Sequence, residues 1–510
     1  MRRLIANRYI LALLVLAALA AEFGLASISH PAALASGPRT AAPARAIVSS
    51  ALRACPAPGS AGATASGLAL TAASSGTGQA AVTRLSPLGS AAAPAPLHVV
   101  IQPGLLSLVN VTAAPALPRG AAQVGAGTSA GSAGGSSPPT GPARGGVMIS
   151  ASGSMARGLE AEQTSAGGLA TAQCQGPGTD FWFVGPGQKS AADIELYLMN
   201  TDSQAADAAV QILTDSGPVL GSTDAGIGVP PHGIVVQSLG RLLSGSRVVA
   251  LNVTTSVGRV VAAVQETSAG NAPGAWLPPA AVPATSQVLP GLPGTPGGRE
   301  LYVAVPGAGN AVIKVTAITA RGSYQPTGGS GIDLPGGSAI GVALPSLGGI
   351  PAAIQVSSSV PVTASMGMPG GAAGAPGAFT AAAAAVQEQG VVAGNPGSAG
   401  GTTELVLSAP RGAAQVQVTE VTAGGAPSSP ARTIPLAAGH SAVVTLTAPR
   451  EGGRSSAFAV VVTPLAGSGP VYAGRVVTQA GAVRSILPVA SALTWVPLPA
   501  VRNSVTTALP

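Results

Sequence analysis

Beyond residue 46 the chain is written in short apolar runs. Each is four to nine residues long, rich in Val, Ile, Leu and Thr, and each is closed by Gly, Pro or Ser. Runs of that length between turn residues predict many short β-strands. RVVALNVTTS, from position 247, is representative. As a half-buried strand it sends Val248, Ala250 and Asn252 to one face and Val249, Leu251 and Val253 to the other.

The runs recur in a fixed order. SQVLPGLPGTPGGRELYVAVPGAGNAVIKVTAI from Ser286 and EQGVVAGNPGSAGGTTELVLSAPRGAAQVQVTEV from Glu388 share one plan: a Pro-Gly turn, a strand (300–305; 404–408), a Gly turn and a second strand (311–318; 414–421). CQGPGTDFWFVGPG with DIELYLMNTD and AADAAVQILTD repeats it, and CPAPGSAGATASGLAL opens an earlier copy. Later strands repeat as well: VPPHGIVVQSL, LPGGSAIGVAL and LAAGHSAVVTL, and then RVVAAVQETSAG, VPVTASMGMPGG and VYAGRVVTQAG. Four units follow, at 47–172, 173–285, 286–390 and 391–502, each with about seven strand-sized runs. A unit of that size and strand count predicts an all-β chain of tandem immunoglobulin-like β-sandwiches. A β-propeller made of the same strands is the alternative. Residues 36–46 read as a stalk. Residues 113–146, dominated by Ala, Gly, Ser and Pro, read as a disordered insertion in the first unit.

Composition adds location. Mean hydropathy is +0.45, which suggests membrane helices, yet after residue 30 no apolar run approaches the ~18 residues a span needs. The N-terminus differs: MRRLIANRYILALLVLAALAAEFGLASI has a basic head and an uncharged stretch from Ile10 to Ala21. Residues 1–35 therefore read as a signal-anchor held by the positive-inside rule, or as a signal peptide cleaved near Ala33-Leu34-Ala35. Either puts the bulk outside the cytoplasm, as a cell-membrane protein with one N-terminal anchor or as a secreted one. The net charge of +7 arises from few acids and scattered arginines in a chain only 8% charged. It forms no basic patch, so nucleic acid is excluded as a partner.

These features, with the Q-E-T-S-A-G and T-W-V-P-L-P stretches, resemble an actinobacterial family of membrane-anchored extracellular proteins catalogued as a domain of unknown function. The resemblance covers most of 45–502 and implies no activity.

Candidate chemistry is sparse. His232 and His440 occupy the same turn of two repeats, as a turn filler does; with His30 and His98 they show no ligand spacing and no triad. Asp180, Asp193, Glu195, Asp202, Asp207, Asp215 and Asp224 concentrate in the second unit, but lack the alternation of a calcium loop and sit beside turn residues. Asn110 and Asn252 head glycosylation sequons, in strand-like runs where modification is not expected. Trp182, Trp276 and Trp495 fall at unit ends, which suits junction packing more than a sugar platform. Cys55 and Cys174 stand at matching unit starts. An even count outside the cytoplasm favours a bridge, but matching points in a linear string lie too far apart. A Cys55–Cys174 disulfide then requires the first unit to fold back or the units to form a ring.

No catalytic, cofactor-binding or metal-ligating residue is assigned, and no cofactor. The reading is a non-catalytic, membrane-anchored extracytoplasmic repeat protein, a cell-envelope scaffold or adhesion module with an envelope protein or glycan as partner. The alternatives are a cell-wall or glycan hydrolase working through the second-unit aspartates, and a carbohydrate-binding protein working through Trp182.

Overall fold

The computed structural model describes residues 45–56, 66–71, 78–87, 97–99, 105–111, 145–164, 171–189, 193–219, 226–267, 275–295, 298–344, 349–368, 377–396, 401–422, 430–451 and 454–498, with a few isolated positions besides. Among them no helix is long and apolar enough to cross a membrane. Nearly all of the expected anchor over 1–35 and of the expected 113–146 insertion lies outside the described residues. Ile47–Trp495 forms one compact unit, and Met1–Ala46 with Val496–Pro510 a separate one.

The Ile47–Trp495 unit holds four sandwiches with one shared topology. In the first, the strands in chain order are Ser50–Pro56, Ser66–Thr71, Gly78–Leu85, Leu97–Val99, Leu106–Val111, Gly146–Gly153, Glu160–Thr164 and Thr171–Gln173. One sheet runs first-sixth-third-fourth and the other fifth-second-seventh-eighth, with all pairs antiparallel. The fourth sandwich repeats this from Gly390–Asn395 to Ala482–Pro488, with a small added hairpin of Arg450–Glu451 and Arg454–Ser455. In the second, from Asp180–Pro186 to Ala275–Leu277, the fourth-strand place is shared by Gly217–Pro218 and Ile227–Val229. In the third, the sixth and seventh strands fuse into Ala352–Met368, whose two halves serve opposite sheets.

Each unit is thus an antiparallel sandwich, but not in immunoglobulin order. There the first strand pairs the second; here it pairs the sixth, and the first and second strands lie in opposite sheets. The sixth-strand turn into the seventh carries the chain between sheets.

The sheets are covered on both faces. Inside each sandwich a hydrophobic cluster joins its own two sheets, as Leu301, Val303, Ile313, Val315, Ile354 and Ala364 do in the third. Outside, each sandwich packs against its neighbour. Ala54, Leu85 and Met148 of the first meet Tyr197, Met199, Ile234 and Val261 of the second. Val184, Val249 and Leu251 of the second share a cluster with Tyr302, Ala304, Ala339 and Phe379 of the third. Val288, Ile318 and Ala353 of the third meet Tyr472 of the fourth. Ala393 and Ala459 of the fourth then meet Leu106 of the first. At each junction the sheet carrying a unit's first strand packs on the sheet carrying the next unit's second strand, and the last returns to the first. Eight layers of four or five strands form a closed ring. The layout approaches that of a propeller, but propeller blades are independent sheets, whereas here strands cross between sheets in pairs, so the folding unit is the sandwich.

Double coverage replaces the expected alternation. Val248–Val257 is buried at all six positions from Val248 to Val253 before it emerges. A strand buried on both faces reads as a continuous apolar run. The high hydropathy follows from this packing and needs no membrane helices.

Close layers need small residues. Gly474 faces Gly291 across the third–fourth junction, and a Cβ on Gly474 would stand 2.5 Å from the Gly291 Cα. Gly474→Ala is expected to destabilise by about 1–3 kcal/mol through overpacking. Gly228→Ala, with nothing within 4 Å of its Cβ, serves as the control and should shift stability by under about 0.5 kcal/mol. Denaturant unfolding of both variants checks this.

Candidate functional site

The eighth strands lie toward the ring's centre, and the chain leaving each one turns back onto that unit's first strand. Gln175 pairs with Ala54, Ala280 with Trp182 and Ser491 with Gly390; the Ala383 amide donates to Val288 at 2.9 Å. These four equivalent segments line one axial cavity of about 460 Å³. Thr171, Gln173 and Gln175 come from the first sandwich, Trp276 and Pro278–Pro279 from the second, 382–384 from the third, and Ile486, Pro488 and Ser491 from the fourth. The lining is Ala- and Pro-rich. Proline removes the amide donors that an exposed strand edge would offer to its neighbours. The volume is within the range of small-molecule sites.

Beside the cavity, the closure between fourth and first sandwiches holds a buried charged network. Arg475, 0% exposed, extends from the seventh strand of the fourth sandwich. Its Nη1 donates to the Gly394 carbonyl at 2.7 Å, and its Nη2 to Thr171 Oγ1 at 2.7 Å and Ser485 Oγ at 3.0 Å. Glu162 of the first sandwich stands 3.7 Å from Nη1 and accepts from the Gly394 amide at 3.0 Å. Two residues away on the same strand, Glu160 accepts from Arg53 at 2.8 Å and from Gln173 at 3.4 Å.

Burial dominates the electrostatics. It pushes the Glu162 carboxyl up to about 6, against the opposing pull of Arg475 and the Gly394 amide. Burial also raises Glu160, against Arg53, and lowers Arg475, against Glu162. Arg53, paired with Glu160, is raised by that charge. Both members of the Arg475–Glu162 pair are pushed toward neutrality, because a 3.7 Å contact does not recover the cost of desolvating two charges.

Cys55 and Cys174 are bonded, with Cα atoms 4.5 Å apart, and both lie in the first sandwich's core. Matching them as unit starts was wrong. Cys55 lies within the first strand of its unit, and its register counterpart in the second unit is Phe183. Cys174 follows the eighth strand of the same unit, next to the Gln175–Ala54 pairing. The bridge therefore pins a unit's last segment to its own first strand, and the apparent distance problem does not arise.

The other sequence candidates are dispersed. Asp180 accepts from Asn252, Asp193 from Ser238, Asp215 from the Arg247 amide, and Asp202 pairs with Arg259 at 2.8 Å. Glu195 accepts from the Tyr197 hydroxyl at 2.8 Å. Asp207 lies against Gly226, and Asp224 is outside the described residues. No three His, Cys, Asp or Glu side chains gather in a metal-binding group among the described residues. His232 is a buried turn residue at φ 47°, and His440 opens the fourth sandwich's fifth strand, its ring meeting the Ala438 carbonyl; His30 and the side chain of His98 lie outside the description. Trp182 is only 6% exposed and offers no sugar platform. Trp276 stacks obliquely on Tyr197, centroids 5.3 Å apart, and lines the cavity. Glu160, Glu162 and Arg475 went unnoticed in the sequence. The available signal was two carboxylates at i and i+2 in LEAEQT, and a lone arginine in VYAGRVV, within a chain nearly free of charge.

Fold and site define a closed ring of tandem antiparallel β-sandwiches around an axial cavity. The chain belongs to a family of unknown function, DUF5719, whose model matches residues 128–447. That match spans the second and third sandwiches and parts of the first and fourth. No curated protein and no solved structure matches the chain.

Two staples hold the first sandwich and the closure. Cys174→Ser should cost up to about 5 kcal/mol in the chain-entropy account for a loop of this length. Arg475→Met, which strands Glu162, should cost about 3–5 kcal/mol, and the Arg475→Met/Glu162→Gln double variant less. Denaturant midpoints give the ordering.

Proposed function

We propose that the chain is a non-catalytic, membrane-anchored extracytoplasmic ring that serves as a scaffold or binding platform in the cell envelope. The carrying observation is the axial cavity, built from equivalent segments of four sandwiches. A site assembled by repetition suits binding better than chemistry, which requires unlike groups in unlike roles. The ionisable groups support the same reading. Asp180, the carboxylate in the cavity lining, accepts from Asn252 at 2.6 Å, while Glu160 and Glu162, 3% and 1% exposed, are occupied in buried pairs with Arg53 and Arg475. Asp180, Asp193, Asp202 and Asp215 are each held by a separate neighbour. Location rests on the basic head and apolar run of residues 1–35.

Protease added to intact cells expressing the full chain is expected to degrade the 47–495 ring, while a fragment containing the N-terminal segment stays with carbonate-washed membranes. Complete protection until lysis would overturn the location. Release of reducing sugar or peptide from cell-wall polymer by the purified full chain would overturn the non-catalytic reading.

A further inference from the structure

Three of the four junctions are crossed by the chain. The segments after Gln173, after Leu277 and after Ala381 run directly into the next sandwich. The junction between the fourth and first sandwiches is not: no peptide connects the two sides within the ring. It is closed by the Arg475 network and by a backbone clasp, in which Gly158 and Val48 of the first sandwich donate to the Leu493 and Thr494 carbonyls at 3.0 and 2.9 Å. Its described apolar contacts include Leu106 against Ala393 and Ala459, flanked by Val421 and Ala457. A boundary that no peptide crosses can part without unfolding a linker, and proteins open locally in such cooperative units.

The closure and the cavity also share residues. Thr171 accepts from Arg475 and lines the cavity. Leu493 carries a clasp carbonyl and lines the cavity. Parting the fourth sandwich from the first must therefore move one wall of the cavity.

We propose that the first–fourth junction is the seam at which the ring opens and its axial cavity widens, with Arg475 and Glu162 as its latch. Opening this seam transfers Glu162 and Arg475 to water and separates Thr171 from Ser485, whose hydroxyls are 2.7 Å apart. The charged groups facing Glu162 among the described residues are Arg475 from the fourth sandwich and Glu160 on its own strand; Arg53 acts through Glu160, and the neighbouring strand presents the neutral Gln173. In the closed seam Glu162 titrates near 6, above its ordinary 4.5. The closed state therefore holds the proton more tightly than the open one, and opening becomes easier as pH rises between those values. The opening constant should grow up to about eightfold from pH 5 to pH 7.5 by this linkage.

Hydrogen exchange on the full chain, corrected for intrinsic rates, tests this at the two pH values. In the wild type, protection of Thr171–Gln173 and of 486–493 is expected to fall several-fold more than that of Ala275–Leu277 and Ala378–Ala381. Glu162→Gln, isosteric and neutral, should remove the pH dependence and stay protected. Arg475→Met should expose the same two segments at both pH values. Equal exchange at all junctions would overturn the proposal, as would a pH dependence that persists in Glu162→Gln.

Discussion

Everything in this ring depends on covering both faces of every sheet. A lone sandwich buries one face of each sheet and leaves the other to water. Here the outer faces are apolar too, and each can be satisfied only by a neighbour. A linear array of four would leave two uncovered faces, one at each end. Closing the array removes both. The ring is thus a consequence of which surfaces the sequence makes hydrophobic, as in other repeat architectures whose units cannot bury their own faces. The same constraint explains the composition. Layers packed on both sides favour Val, Ala and Gly, leave few places for charge, and raise mean hydropathy. At the closure between the fourth and first sandwiches, charge enters the interior as Arg475 and Glu162.

Much of this was legible in the runs themselves. Strand positions such as 311–318 and 414–421 fall within the observed Ala311–Thr319 and Ala414–Thr422, because turn residues bound strands locally. Strand order was not legible. Pairing first with sixth is decided by crossover geometry, to which local pattern is blind. Nor was ring closure, because a sheet face that meets its own partner and one that meets a neighbouring unit carry the same residues. The signal was present in RVVALNV, apolar on both faces, but it was read as an alternating half-buried strand.

The cysteines show the same limit from another side. Their shared CxxPG context suggested equivalent places in two repeats, whereas spatial register sets Cys55 against Phe183. The axial cavity could not be read either, since its lining comes from segments about 100 residues apart that are rich in Ala and Pro and have no motif. Glu160 and Glu162 were visible as letters, but their importance came from Arg475, about 310 residues away in the chain, which only the closed ring brings to them.

Spin-label distances between equivalent strands test ring closure most directly. Leu108, Gln237 and Val443 are exposed positions on the fifth strands of the first, second and fourth sandwiches, and both native cysteines are buried in their disulfide. Pairwise labelling at substituted cysteines should give a 108–443 separation close to the 108–237 separation, because the fourth sandwich adjoins the first as the second does. A 108–443 separation two to three times longer would show an open string and contradict the account.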